Sequence, residues 1–232
     1  ANLLQPNDPD NSFSLAGLKF VTGKYDEAET LFDKTMALSP GHSDALMGKS
    51  LLHLALGKWT TAWDGYEQRL AKNPVYQQLS EKPRWNGEPL AGKTLLVFAE
   101  QGLGDTLQFI RYLDRLEDLD GNVVTLVSKP LIPLLRQSGY RQIFNGTHEV
   151  PHYDVQIPLM SLPGVFKDTP DTLPKIVPYL RPDEKLVAKW KDYLAGFNGW
   201  KIGIHWQGNP SFSRDRFRSV PLECFEKIAA LG

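Results

Sequence analysis

Between residues 94 and 231, short apolar runs alternate with amphipathic stretches. Residues 94–99, opening Thr94-Leu95-Leu96-Val97-Phe98, form an unbroken apolar run, the pattern of a strand covered on both faces. Residues 106–119 then set Leu107, Ile110, Leu113 and Leu116 on one helical face. The alternation continues with a strand at 122–127, a helix at 130–137 opened by Pro130, and strands at 142–144 and 154–157. A helix at 183–194 carries Leu186, Trp190 and Leu194 on one side, and 201–206 predicts another strand. A closing helix at 221–231 has Leu222, Phe225 and Ile228 beside Cys224, which predicts a buried thiol. Strands alternating with helices predict a mostly parallel sheet with ligands at the carboxyl ends of its strands.

The first third of the chain repeats. Pro6, Pro40 and Pro74 are spaced 34 residues apart, as are Gly23 and Gly57, Lys24 and Lys58, Ala28 and Ala62, and Ala37 and Ala71. Tyr25 and Phe32 are matched at the same offset by Trp59 and Tyr66. Each glycine is placed to end a helix in a left-handed cap, each alanine to admit close packing, and each proline to stop the next helix. This period resembles the tetratricopeptide repeat, with units at 7–40 and 41–74, although Ser12, Lys19 and His53 stand where that family favours aromatic residues. The resemblance implies a curved surface that docks a peptide or a protein partner. The alternative is a short stack that caps the following domain. Trp63, Tyr66, Glu67 and Arg69 suit either role, as groove or as packing residues.

Composition narrows the function classes. The chain has 232 residues, 26 Lys+Arg against 27 Asp+Glu, and 41% hydrophobic residues, enough for a packed core. Its net charge of -1 disfavours nucleic acid as a partner. A single cysteine excludes a disulfide framework and fits a reducing, cytoplasmic setting. Apolar runs are too short for a membrane span. The opening Ala-Asn-Leu-Leu-Gln-Pro, without initiator Met or signal pattern, predicts a piece of a longer protein.

Three motifs match in letters only. Residues 87–94 (GEPLAGKT) spell a phosphate-loop pattern, but that chemistry needs a strand before and a helix after, and here a strand follows. His148-Glu149-Val150-Pro151-His152 spells the zinc-protease signature, yet Pro151 interrupts the helix it requires, so no metal is expected. Asn145-Gly146-Thr147 is a glycosylation sequon with no secretory context.

The turn after the first strand is more informative. Glu100-Gln101-Gly102-Leu103-Gly104-Asp105 holds half of a dinucleotide fingerprint, with Leu107 in place of the third glycine and Lys129 where an acid usually follows the second strand. A carboxylate at the helix start competes with phosphate for the same N–H groups. The turn therefore suits a neutral acceptor, with Asp105 as general base. Asp105-Thr106-Leu107-Gln108 equally fits a capping box, with Asp105 as the cap and Gln108 reaching back.

Trp85-Asn86-Gly87, the runs 90–96 and 100–109, Pro158-Leu159-Met160-Ser161-Leu162-Pro163, Val177-Pro178-Tyr179-Leu180 and His205-Trp206-Gln207-Gly208-Asn209-Pro210 resemble bacterial tetratricopeptide proteins with a heptosyltransferase-like glycosyltransferase domain. The fold class that follows is α plus α/β, a truncated GT-B arrangement. Repeats occupy 1–76, a linker 77–92, a Rossmann-like acceptor-side domain 93–196, and the beginning of a donor-binding domain 199–232. The resemblance implies two Rossmann-like domains facing across a cleft, a nucleotide-sugar donor, a glycan or protein acceptor, and Asp105 as the base. Gln101, Gly102, Gly104 and Gln108 would shape the acceptor side, and His205, Gly208, Asn209, Arg216 and Arg218 the donor-phosphate side. Arg214, Arg216 and Arg218 just before a helix also suit a diphosphate on chemical grounds, with no metal or other cofactor. A solvated basic loop in which Asp215 pairs with its neighbours is the plainer alternative for that segment, and a core or rim position is the plainer one for His205. Half a donor site predicts weak donor binding and no turnover by this piece alone. A non-enzymatic binding module and an O-linked protein glycosyltransferase remain open beside this reading.

Overall fold

In the computed structural model, which describes residues 7–211 and 215–230, the chain divides into two compact units, Ala1–Arg181 and Pro182–Gly232. The first unit opens with α1 (Pro9–Val21), α2 (Tyr25–Leu38) and α3 (Ser43–Ala55). Asp8 caps α1 by accepting from the Asp10 and Asn11 amides, with Pro9 at the first helical position. The 34-residue correspondence has a physical counterpart at the helix ends. Gly23 and Gly57 both sit at φ 75°, and the next amides, of Lys24 and Lys58, return to the carbonyls of Lys19 and His53. That is the same left-handed C-terminal cap made twice. Ala16, Ala28, Phe32, Ala45 and Leu52 form the buried core of these helices.

The second halves of the two repeats diverge. α2 is continuous, whereas its counterpart breaks into a 3-10 turn at Trp59–Thr61, α4 (Trp63–Tyr66) and a second 3-10 turn at Glu67–Leu70. Its side chains are committed away from the repeat. The Trp63 indole N–H donates to the Asp168 carbonyl at 2.8 Å, and Trp63 and Tyr66 pack on Met160. Trp63, Tyr66, Glu67 and Arg69 thus make their contacts toward the end of the sheet.

α5 (Pro74–Leu79), capped by Asn73, leads into the sheet. β1 (Thr94–Phe98), α6 (Leu103–Phe109), β2 (Asn122–Leu126), α7 (Ile132–Gln137), β3 (Ile143–Phe144) and β4 (Val155–Pro158) follow, then α8 (Leu162–Val165). All pairings are parallel, in the order β3-β2-β1-β4, with Leu96 opposite Val124 on one side and Gln156 on the other. Outside β4, Arg84 bridges to Gln156, so the segment before β1 extends the sheet edge. GEPLAGKT runs into β1, opposite to the order that a phosphate loop needs. β1 is covered twice. Leu95 and Val97 face Ile110, Leu113, Leu116, Leu131 and Leu135, while Leu96 and Phe98 face Val75, Tyr76 and Leu79 of α5. This double burial explains the unbroken apolar run.

The second unit holds α9 (Glu184–Ala195), capped by Asp183, and α10 (Glu226–Ala229) after a 3-10 turn at Leu222–Phe225. Two expectations fail here. Residues 201–206 form no strand, because an extended segment needs a neighbouring strand to pair with and none is present among the described residues. Cys224 is exposed, not buried. Leu222 and Ile228 beside it are exposed too, so the apolar face that should cover the thiol has nothing packed on it among this unit's described residues. Trp200, Ile202, Ile204, Leu222, Phe225 and Ile228 instead line a hollow of about 900 Å³. No helix among the described residues is long and apolar enough to cross a membrane.

Candidate functional site

The strand order reverses direction between β1 and β4, and ligands in open parallel sheets bind outside the carboxyl ends of strands at such a point. β1 ends there at Phe98, and the Ala99 amide makes its last sheet bond to the Leu126 carbonyl at 2.8 Å. The chain then turns through 100–102 into α6.

Gly102, in an extended conformation, is the residue before the helix, and Asp105 lies inside the first turn. The Asp105 carboxylate reaches back, accepting from the Gly102 amide at 3.1 Å through Oδ2. The cap geometry expected from Asp105-Thr106-Leu107-Gln108 is therefore shifted by one turn, since α6 starts at Leu103 and not at Thr106. The missing side chain at Gly102 leaves room for this contact, since a Cβ there would lie 3.2 Å from Asp105 Oδ2. Gln108 does not reach back; its Oε1 accepts from Arg111 at 3.4 Å. Asp105 Oδ1 has no hydrogen-bond partner among the described residues and stays available. Asp105 is half-buried, and Gln101, Gly102, Gly104 and Gln108 are exposed around it.

Beneath this turn lies an ionic cluster that sequence reasoning does not assemble. Glu100, the first residue of the turn, has a fully buried side chain whose Oε1 accepts from Arg69 Nε at 3.2 Å and Nη2 at 2.8 Å. Arg69, 4% exposed, also bonds Glu67 at 2.7 Å and the Ser161 hydroxyl at 2.7 Å, and its guanidinium lies 4.3 Å from the Tyr66 ring centre. Ser161 in turn donates to Glu67 Oε2 at 2.9 Å, and Arg84 pairs with the same oxygen. Burial pushes the Glu100 carboxyl above its usual range, opposed by Arg69 and by the amides of Glu100 and Met160. Burial also works against the Arg69 charge, but Glu67 and Glu100 outweigh it and hold the guanidinium above its ordinary value. The sequence singles out Glu67 and Arg69 as groove or packing residues; Glu100 and Ser161, which lie just past the ends of β1 and β4, stand there only within longer runs and with no role of their own.

Beside α6 lies a mostly aromatic cavity of about 240 Å³, lined by Trp59, Trp63, Tyr66, Phe109 and Tyr112, with Gln108 and Arg111 as polar members. Tyr66 links cavity and turn. Burial raises its hydroxyl to about 12, Arg69 opposes this, and the charges of Glu100, Asp105 and Glu67 add to it.

The second unit gathers some of its expected residues. The Gly208 amide donates to the Ser219 hydroxyl at 2.9 Å, and the Val220 amide to the Trp206 carbonyl at 3.0 Å. A Cβ at Gly208 would meet Asp215 Oδ1 at 2.7 Å and Arg218 Nε at 2.8 Å, so the loop tolerates only glycine there without rearrangement. Arg218 pairs with Asp215 at 3.1 Å, the acid expected to compete for it. Asn209 turns inward on its own loop, accepting from the Ser211 amide at 3.0 Å. His205 is exposed, and Arg216 lies over the Phe217 ring at 4.7 Å. Arg214 falls outside the described residues.

His148 and His152 do not share a helix. Residues Thr147–Glu149 make one 3-10 turn, and the two imidazoles face Glu149 and Asp154 respectively. Among the described residues, no group of three or more His, Cys, Asp or Glu is arranged to hold a metal ion.

Fold and site thus define a helical segment joined to a small parallel α/β sheet that presents a carboxylate beyond the end of β1. No family model matches the chain. It is similar to Protein FlbA of Caulobacter vibrioides, 29% identical over 201 residues, which covers 73% of this chain and 33% of that relative. The chain thus spans about a third of the relative's length.

Proposed function

We propose that these residues belong to a glycosyltransferase that moves a glycosyl group from a nucleotide sugar to a hydroxyl acceptor. The observation that supports this best is the Gly102–Asp105 turn. It sets a carboxylate with one unpaired oxygen at the carboxyl end of β1. In the proposed step, Asp105 takes the acceptor's hydroxyl proton as that oxygen bonds to the anomeric carbon. The bond from the anomeric carbon to the diphosphate oxygen breaks, and the nucleoside diphosphate leaves. Arg216 and Arg218 would carry the departing negative charge. The repeats would be of the tetratricopeptide type and the whole of the GT-B class, in keeping with the sequence resemblance.

Asp105→Asn keeps an acceptor for the Gly102 amide while removing the base. In the full-length protein it should lower transfer from a radiolabelled nucleotide sugar by about 10²-fold or more. Nucleoside diphosphate affinity, measured by titration calorimetry, should be unchanged by it and weakened by Arg216→Ala. A wild-type protein with neither transfer nor nucleoside diphosphate binding would favour the second reading, a non-enzymatic binding module. That reading draws on the hydrogen bond by which Asp105 already closes the start of α6, a role that needs no substrate.

A further inference from the structure

The structure assigns Asn73, at the end of the second repeat, and Arg69 beside it as positioning residues for the turn that carries Asp105. The helical repeat is then a working part of the site and not only a neighbour of it. This rests on the reading of Asp105 as the base.

The turn is pinned at both ends. The Asn73 side-chain amide donates to the Glu100 carbonyl at 2.8 Å, and the Glu100 side chain is held by Arg69 through two nitrogens. At the other end, Asp105 holds the Gly102 amide at 3.1 Å. Only Gln101 lies between the pinned carbonyl and the pinned amide, and it is exposed with no side-chain bond of its own among the described residues. The direction in which the peptide leaves Glu100 therefore sets where Gly102, and with it the Asp105 carboxylate, comes to lie. Both clamps on Glu100 come from outside the sheet, 27 and 31 residues earlier in the chain. Asn73 is suited to this because its two side-chain functions divide the work. Oδ1 caps α5 by accepting from the Tyr76 amide at 3.0 Å, leaving the amide nitrogen to donate to the turn.

That division makes a selective test possible. Asn73→Ser retains a cap acceptor but is too short to reach the Glu100 carbonyl, and Asn73→Asp retains the cap while losing the donor. Hydrogen exchange of the amides at 102–106 in both variants should quicken about five- to tenfold, the loss of one hydrogen bond, with α1–α3 unchanged. In the full-length protein kcat should fall with the donor KM unchanged, and the effect should vanish in an Asp105→Asn background, since residues acting through one another are not additive. Unchanged exchange at 102–106 in both variants overturns the assignment. So does faster exchange without a fall in kcat, or a fall in kcat that persists in the Asp105→Asn background. A wild-type protein without transfer would sink the glycosyltransferase reading and, with it, the assignment of a role in positioning a base. The exchange result would still separately establish or refute the tether itself.

Discussion

β1 and residues 201–206 present similar apolar lettering, Thr-Leu-Leu-Val-Phe against Lys-Ile-Gly-Ile-His-Trp, yet only the first becomes a strand. β1 has a strand on each edge, α5 against one face and the crossover helices against the other. Residues 201–206 have no paired strand among the described residues, and Ile202 and Ile204 remain exposed. An extended segment is stabilised by what flanks it, because its own backbone groups cannot pair internally. The same contrast separates the two loops that follow. The turn after β1 is held by an ion cluster with a fully buried carboxylate, whereas Gly208 rests on Ser219 and an exposed Arg218–Asp215 pair.

The largest effect should come from cutting the buried cluster and not its exposed counterpart. Arg69→Ala strips the buried Glu100 carboxyl of its ion-pair partner and should destabilise the first unit by about 3–5 kcal/mol. Arg218→Ala removes one partner of a pair whose arginine is 51% exposed. It should cost about 1 kcal/mol or less. Urea unfolding followed by segment-resolved hydrogen exchange measures both. Equal losses from the two substitutions would contradict the contrast between the loops.

Strand burial gives the next comparison. Leu96→Ala empties a site on the α5 face of the sheet and should cost about 2–5 kcal/mol. Ile204, 38% exposed, has less to lose. Its replacement by alanine should cost under about 1 kcal/mol by the same measurement. A loss at Ile204 as large as at Leu96 would mean that the segment is packed in solution.

What is legible in the sequence follows the same division between local pattern and distant pairing. β1, β2 and α9 can be read because their apolar spacing repeats within a few residues, and the two glycine caps because left-handed φ has a residue preference. The start of α6 lies one turn earlier than the lettering suggests, because Gly102 offers no side chain to mark it. Residues 201–206 fail as a strand because alternation specifies a face and not a neighbour. Asp105 stands out by following Gly-x-Gly after an apolar run. Glu100 does not, since its partners Arg69 and Asn73 lie in the repeat, and no spacing rule reaches that far. The broken helix at 59–70 has the same origin, as Trp63 and Arg69 serve the sheet end instead of the repeat.

The smallest effect tests whether the repeat and the sheet end use their acids differently. Glu29 of α2 pairs with Lys58 at 2.9 Å and with His53 at 2.8 Å, which joins one repeat to the next. Its hydrogen bond to Lys58, then that to His53, lowers its carboxyl from 4.5 to about 2. A carboxylate with a lowered native pKa contributes stability that is complete above the ordinary value and lost as the proton binds. Glu29 should therefore contribute in full above pH 4.5, and its share should disappear as pH falls toward 2. Glu100 has the opposite sign. Its raised pKa means that the native state takes up a proton before the unfolded chain does, so its contribution falls as pH rises through that value. Glu29→Gln should thus flatten the acid limb of a melting-temperature profile between pH 4.5 and 2. At neutral pH the loss should be about 1 kcal/mol or less, because the side chain is 26% exposed and salt screens it. If Glu29→Gln leaves the acid limb unchanged, the repeat does not store stability in this acid. The pH response would then have to come from carboxylates elsewhere, and the contrast with Glu100 would lose its second member.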